Sequence, residues 1–321
     1  MSVLKRYEGN PIFSPENLPG EVNAVFNCGQ IMHGDTTILL VPLVYEGERP
    51  HMRVAESKDG INFTLRDERF IEQSSEPHMQ GLDIHAIDPR VTYFKEDGCY
   101  YIIRPGGGTK KAGPISILGK TKDWKTYEEI EIVALPSNRV PCLFPEKING
   151  LYCRLDRCYD NFKQTAEVAH IPTRGHMWIS YSPDLIHWGQ HRFLLESYAQ
   201  WNSHKLGPTP PIKTDKGWLV IIHGVEHIDN SEGKFNWPYK YHLGAVLLNL
   251  EDPRQIIGKT AEPILSPEED YEIFGRTDNV VFACGAIADH DQDRLRIYYG
   301  AADTRIGLAT GSLSEIIALC K

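Results

Sequence analysis

The 321-residue chain lacks long apolar runs, closely paired cysteines and an excess of positive charge. The N-terminus has no apolar run of signal-peptide length, and no segment approaches the roughly 20 apolar residues that a membrane span requires. These absences argue against a secreted protein and against an integral membrane protein. We therefore expect a cytoplasmic protein without a membrane partner.

The cysteines are few and are not arranged in pairs. The chain has seven, an odd number, and none stands in a C-x-x-C spacing. This pattern argues against a disulfide framework and against a zinc site. His223 and His227 would share one face of a helix, but the residues around them are typical of a strand. We therefore expect no metal.

Acidic residues outnumber basic ones, which gives the chain a net charge of −9 and a pI near 5.8. A broad basic surface is excluded, so nucleic acid is a poor partner and any cluster of cations must be local. Hydrophobic residues make up 41% of the chain, enough to bury a substantial core. We expect one domain over residues 1–321.

The chain does contain a weak internal repeat. Asp59, Asp123 and Asp184 each follow a β-like run, with an aromatic residue three to four positions later. An aspartate in such a turn can bond its own backbone. The same spacing leads on to residues 247–252 and 307–312. Because 321 residues divide into five units of about 64, we predict an all-β, five-bladed β-propeller, although similar turns occur in other β proteins.

Two further features agree with a propeller. Residues 10–16 are echoed by residues 262–268, which favours closure of a ring, and the predicted strands are short and rich in β-branched and aromatic residues. Convincing helices are scarce, apart from a possible one at residues 313–319. Propellers bind ligands in a central funnel, so the functional side chains should recur about once per blade.

Eight motifs in the chain resemble glycoside hydrolase family 130, in the order found in that family. They are Asn10-Pro-Ile, Phe26-Asn27, Ser57-Lys-Asp-Gly-Ile61, Asp88-Pro-Arg90, Leu143-Phe-Pro-Glu-Lys-Ile-Asn-Gly150, Gly217-Trp-Leu-Val-Ile-Ile-His-Gly-Val225, Asn279-Val-Val-Phe-Ala-Cys-Gly285 and Tyr298-Tyr-Gly-Ala-Ala-Asp-Thr304. The resemblance implies a five-bladed propeller and an inverting phosphorylase that cleaves β-mannosides and releases α-mannose 1-phosphate. It implies no cofactor, with inorganic phosphate as co-substrate.

The resemblance also implies roles for individual residues. Asp88 is the expected general acid, acting through a hydroxyl of the bound mannose. The expected phosphate contacts are Arg139, Arg157, Lys205, His223 and Tyr241. The expected sugar contacts are Asn27, Arg49 and Asp303. A carboxylic acid beside a group of oxyanion-binding cations is the chemistry that phosphorolysis requires.

Simpler interpretations of these residues remain open. Asp88 could form a local turn before Pro89, as Asp-Pro sequences often do. Each cation could be an ordinary ion-paired strand residue, and Asn27 and Tyr241 could belong to the core or to turns. The chain also departs from the family, because residues 43–48 lack an arginine that is often present and Ile87 stands where others carry Glu or Tyr. The linkage and the acceptor sugar therefore stay open.

Two other functions compete with phosphorolysis. A β-mannosidase would use water and would need a second carboxylate as base, for which Glu226, Asp229 and Asp303 are the candidates. A non-catalytic sugar-binding propeller is also compatible with the fold. The expected partners are a manno-oligosaccharide and phosphate. A homo-oligomer is possible, with the polar segment 159–176 as a contact surface.

Overall fold

The computed structural model describes residues 3–107, 113–160 and 174–321. Residues 161–173, the larger part of the segment predicted to mediate oligomer contacts, lie outside these ranges. The described chain is nearly all β, with twenty-three strands, two short helices and four short 3-10 turns. None of its helices has both the length and the apolar character needed to cross a membrane.

The first sheet follows a short N-terminal strand, β1 (Lys5–Arg6). Its members are β2 (Val22–Val25), β3 (Gly29–His33), β4 (Thr36–Tyr45), β5 (His51–Ser57) and β6 (Thr64–Leu65). Both β2 and β3 pair with β4, so they form one edge strand that is interrupted between them. Apolar and β-branched residues dominate β4, which is buried from Thr37 to Leu43, as expected for a strand inside a sheet.

The second sheet is a simple antiparallel meander. It is made of β7 (Arg90–Phe94), β8 (Cys99–Gly107), β9 (Ile115–Thr121) and β10 (Glu128–Ala134). The strands lie in the order β10-β9-β8-β7, so the strand that enters first lies at one edge. Asp88 immediately precedes this edge strand.

The third sheet has nine strands but consists of two antiparallel units. The first unit contains β11 (Cys142–Leu143), β12 (Tyr152–Asp160), β13 (Arg174–Ser182) and β14 (Gly189–Leu195). The second contains β15 (Lys205–Pro208), β16 (Ile212–Lys213), β17 (Trp218–His227), β18 (Tyr239–Leu248) and β19 (Ile256–Lys259). A single parallel pair, Gly175 with Lys205, joins β13 to β15.

The last sheet combines both ends of the chain. A short helix, α1 (Asp270–Ile273), precedes β20 (Val281–Ala283), β21 (Ile287–Asp289), β22 (Arg294–Ala301) and β23 (Arg305–Ser312). The N-terminal β1 pairs antiparallel with β23, through Lys5 with Thr310 and Arg6 with Ala309. Helix α2 (Leu313–Leu319) ends the chain and confirms the helix predicted at residues 313–319.

The turns of the predicted repeat have the expected geometry. The side chain of Asp59 accepts hydrogen bonds from the backbone N–H groups two and three residues later, each at 2.8 Å. Asp123 and Asp184 do the same, at distances between 2.8 and 3.0 Å. The prediction that these aspartates bond their own backbone in turns is confirmed.

Apolar layers lie between successive sheets. Leu40 and Val54 of the first sheet pack with Ile102 of the second, and Phe94 of the second packs with Leu143 of the third. A further layer, which includes Val41, Tyr298 and Leu308, joins the first sheet to the last. Each fully buried large aliphatic side chain contributes about 1.5–3 kcal/mol. The four sheets therefore stabilise one another around their common center.

Candidate functional site

One pocket collects nearly all of the predicted site residues. It has about 480 Å³ of empty space. Eight of the nine predicted residues line it: Asn27, Asp88, Arg139, Arg157, Lys205, His223, Tyr241 and Asp303. The ninth, Arg49, is exposed in the connection between β4 and β5 and is not among the lining residues.

The lining residues come from all four sheets. Asn27 lies between β2 and β3, Asp88 precedes β7, and Asp303 lies between β22 and β23. The third sheet supplies two of the cations, Arg157 on β12 and Lys205 at the start of β15, and Arg139 lies between β10 and β11. Residues distant in the sequence therefore meet where the sheets converge.

Asp88 is buried at the wall of the pocket, with 4% of its surface exposed. Its Oδ1 accepts a hydrogen bond from Asn27 Nδ2 at 2.8 Å, and its Oδ2 accepts one from Arg139 Nη2 at 3.2 Å. Both partners are more than fifty positions away in the sequence. In the described structure the carboxylate is thus held by the site and not by the local turn that an Asp-Pro sequence often forms.

Asn27 links two carboxylates. Its Nδ2 also lies 3.4 Å from Asp303 Oδ1. This close arrangement needs Gly300, because a Cβ built there would lie 1.9 Å from Asn27 Oδ1. Burial raises the pKa of Asp303, the charge of Asp88 raises it further, and polar contacts that include Asn27 oppose the shift. The site therefore places two acidic groups in different environments.

Two of the cations have no acidic partner among the described residues. Arg157 is 4% exposed, and its Nη1 donates to the Tyr159 hydroxyl at 3.2 Å. Lys205 places its Nζ 4.9 Å from the center of the Tyr241 ring. Desolvation and the neighbouring Arg139 lower the pKa of Arg157. Within the described ranges, neither residue forms the ion pair that an ordinary strand cation often has.

The surroundings of His223 favour the neutral form of its imidazole. Burial, followed by the nearby cations, holds its pKa well below the usual value. The ring packs 4.6 Å from Phe282 and leaves Nδ1 without a partner in the described structure. Gly207 permits this position, since a Cβ there would meet His223 Cε1 at 2.5 Å. A neutral ring can donate one hydrogen bond without adding charge.

Sequence reasoning gave no role to two residues beside the pocket. Arg90 is 1% exposed and donates from Nη1 to the carbonyl oxygen of Asp88 at 2.6 Å. Tyr159 contacts Arg157 and Lys205. Arg90 stands two positions after Asp88, and Tyr159 stands two positions after Arg157 on β12. Because the sequence pattern places residue 159 in a polar segment and not in a strand, no signal indicated that Tyr159 shares a face with Arg157.

The other candidate bases lie elsewhere. Glu226 bonds His242 through Oε1 at 3.1 Å, and Asp229 is exposed and accepts from the backbone of Ser231. Neither lines the pocket, so Asp303 is the one candidate base found there. His223 and His227 stand on a strand, as predicted. In the described ranges no group of three potential ligands is arranged to hold a metal ion.

The fold and the pocket define a class: β-sheet proteins that bring a cluster of cationic side chains next to a buried carboxyl group. The family model described as beta-1,4-mannooligosaccharide phosphorylase matches residues 2–321. The chain belongs to glycoside hydrolase family 130.

Two relatives and one solved structure match over more than nine-tenths of their length. The chain is 31% identical over 325 residues to the beta-1,4-mannooligosaccharide phosphorylase of Ruminococcus albus, covering 99% of this chain and 91% of that one. It is 36% identical over 333 residues to the 1,2-beta-oligomannan phosphorylase of a Thermoanaerobacter species, covering 98% and 99%. The structure of beta-1,2-mannobiose phosphorylase from Listeria innocua, in complex with beta-1,2-mannobiose, superposes with a TM-score of 0.82 at 29% identity, with 99% of each chain covered.

Proposed function

We propose that the chain is a β-mannoside phosphorylase. It cleaves a β-mannosidic bond with inorganic phosphate and releases α-mannose 1-phosphate and a shortened acceptor. One observation carries this proposal: the same pocket contains a buried carboxyl group, that of Asp88, and two cations, Arg157 and Lys205. The two cations have no acidic partner among the described residues. The names of the relatives support the same reaction.

The proposed mechanism needs one acid. Phosphate, held by Arg139, Arg157, Lys205, His223 and Tyr241, attacks the anomeric carbon from the face opposite the leaving group. The bond from that carbon to the leaving oxygen breaks. The oxygen takes up a proton that Asp88 supplies through a hydroxyl of the bound mannose. Because phosphate is already an anionic nucleophile, no second carboxylate is required to activate it.

We propose sugar contacts both inside and outside the pocket. Asn27 and Asp303 bind hydroxyls of the mannose inside the pocket, where both line the wall. Arg49 lies outside it, next to Pro50, whose carbonyl accepts from the backbone of Ala86 at 3.1 Å. We assign Arg49 to the acceptor side, because Ala86 lies two residues before Asp88.

The proposed architecture is a single five-bladed propeller over residues 1–321 with the active site in its funnel. Division of the nine-stranded sheet at its one parallel pair gives five antiparallel units. The apolar layer between the last sheet and the first supports a closed ring. A cytoplasmic location and a homo-oligomer are part of the same proposal.

Reverse phosphorolysis tests the proposal directly. The protein is incubated with α-mannose 1-phosphate and, separately, with mannose, glucose, N-acetylglucosamine or mannobiose, and the released phosphate is measured. Phosphate release with one acceptor is the expected result and identifies the product. Release of mannose from β-mannosides in phosphate-free buffer, with no reverse reaction, would instead identify a β-mannosidase.

A further inference from the structure

We infer that Tyr159 is a positioning residue of the phosphate site, which holds Arg157 and Lys205 as charged, uncompensated groups. This inference rests on the proposed phosphorolysis. Tyr159 is not one of the residues that line the pocket, and it contacts the two cations, through which it would act on a bound phosphate.

The three side chains meet because of the strand pairing. Tyr159 on β12 stands opposite Gly175 on β13, and Gly175 in turn pairs with Lys205 on β15. Arg157 lies two residues before Tyr159, on the same face of β12. A Cβ built at Gly175 would lie 2.9 Å from Arg157 Cδ, 3.2 Å from Lys205 Cβ and 3.6 Å from Tyr159 Cε1. Because glycine has no side chain, Gly175 leaves the space in which the side chains of Arg157, Lys205 and Tyr159 meet.

The ring of Tyr159 lies beside Arg157 and Lys205, at a position from which an acidic side chain could pair with both cations. Its center lies 4.6 Å from the guanidinium carbon of Arg157 and 5.9 Å from Lys205 Nζ. The electron-rich face of an aromatic ring attracts cations without carrying a net charge. A carboxylate at this position would bind the same groups more strongly and would compete with phosphate for them. The ring reduces the repulsion between the cations and adds no net charge that would compete with an anion.

The hydroxyl group adds a second contact. Arg157 Nη1 donates to the Tyr159 oxygen at 3.2 Å, which fixes one side of the guanidinium. Although burial raises the pKa of Tyr159, the charges of Arg157, Lys205 and Arg139 outweigh it and lower the pKa below that of an ordinary tyrosine. Ionisation at alkaline pH would place an anion beside both cations, where it would compete with phosphate.

The test compares Tyr159→Phe and Tyr159→Leu with the unchanged protein, using the KM for phosphate and kcat in phosphorolysis. The leucine variant loses the ring, and a cation–π contact of ordinary strength corresponds to about a tenfold rise in the phosphate KM. The phenylalanine variant keeps the ring and should show a rise of roughly two- to fivefold. The KM for the mannoside should change less than twofold in either variant.

Tyr152 provides a matched control on the same strand. Its ring lies 4.7 Å from Lys147 Nζ, and its hydroxyl donates to Asp97 at 2.9 Å. Tyr152→Phe and Tyr152→Leu therefore remove the same kinds of contact outside the pocket. They should leave the phosphate KM unchanged. Phosphate-induced shifts in thermal unfolding provide a readout that does not depend on turnover.

A pH profile separates positioning from simple packing. In the unchanged protein the phosphate KM should rise with pH as Tyr159 ionises, and Tyr159→Phe should lack that part of the rise. Equal phosphate KM values in all Tyr159 variants, with phosphorolysis intact, would overturn the inference and leave the proposed function standing. Absence of phosphorolysis in the unchanged protein would instead remove the proposed function.

Discussion

At the scale of single residues, three polar members of the pocket share an unusual backbone conformation. Asn27, Asp88 and Asp303 have φ angles of 46°, 51° and 48°, in the left-handed region. Among residues other than glycine, Asn and Asp tolerate this region best. Each of the three residues lies outside the strands and lines the pocket. Site chemistry and backbone geometry therefore select the same residue types.

Replacement of Asp88 by Asn should separate catalysis from folding. Asparagine tolerates the left-handed backbone, and its amide can occupy the position between Asn27 and Arg139. It cannot supply the proton, so kcat for phosphorolysis should fall by about 10²–10⁴-fold. Thermal unfolding should change little. A non-catalytic sugar-binding protein, in contrast, would show no turnover before or after the change.

Gly300→Ala should disturb Asp88, the proposed general acid, indirectly. The added Cβ would lie 1.9 Å from Asn27 Oδ1, so Asn27 must move away from Asp88. We expect a loss of about 1–3 kcal/mol in stability from overpacking, together with a lower kcat. Chemical denaturation and initial rates measure the two effects. Gly189→Ala is the matched control, because no atom lies within 4 Å of a Cβ there.

The buried His223 should make the protein less stable in mild acid. Its pKa is well below the usual value in the folded state, whereas the unfolded chain takes up a proton below about pH 6.5. Unfolding therefore takes up a proton below about pH 6.5, so stability falls as the pH falls. For this one group the slope approaches about 1.4 kcal/mol per pH unit only well below pH 6.5. The free energy of unfolding, measured between pH 7 and 5.5, should depend less on pH in His223→Gln. Equal slopes would contradict the assignment of a neutral imidazole.

At the scale of elements, the irregular segment between β6 and β7 depends on a buried ion pair. Both side chains of the pair formed by Asp83 and Arg104 are fully buried, with Nη1 2.7 Å from Oδ1. Asp83 also accepts from the backbone of Ser74 at 2.7 Å, and it lies five residues before Asp88. The pair thus anchors the segment that leads to Asp88, the proposed general acid.

Asp83→Ala should therefore be strongly destabilising. It leaves the Arg104 charge buried without its main partner, which typically costs about 3–5 kcal/mol. Urea denaturation should report this loss, and kcat should fall in the fraction that remains folded. Lys58→Ala removes the exposed pair with Asp35 and should change stability by at most about 1 kcal/mol. Similar losses in both variants would mean that the buried pair does not anchor the segment.

Local features were predictable from the sequence, and contacts between strands were not. The turn at Asp59 and helix α2 depend on neighbours within a few residues, so their patterns are complete in the sequence. The family motifs identified candidate site residues but did not show which of them line the pocket. Arg49 was therefore grouped with residues that line the pocket, although it does not line it itself. Tyr159 was missed because its environment depends on Gly175 and Lys205, which only the pairing of three strands brings near.

At the scale of the whole molecule, an ion pair as well as strand pairing holds β1 against the last sheet. Arg6 forms two hydrogen bonds of 2.8 Å with the carboxylate of Glu272, whose side chain is fully buried. Tyr299 donates to the same carboxylate at 2.6 Å. The Arg6 guanidinium also contacts the carbonyl of Ser266, in the segment that echoes residues 10–16. One side chain therefore joins β1, α1 and that segment.

A double-mutant cycle should measure how strongly Arg6 and Glu272 interact, and so how much this network stabilises the attachment of β1 to the last sheet. Arg6→Met leaves the buried Glu272 charge without its cation and should cost about 3–5 kcal/mol. Glu272→Gln removes the charge, so the double variant should be less destabilised than the sum of the two single variants. The free energies of unfolding of all four proteins give the coupling energy directly. A coupling energy near zero would mean that strand pairing and apolar packing alone hold the two ends of the chain together.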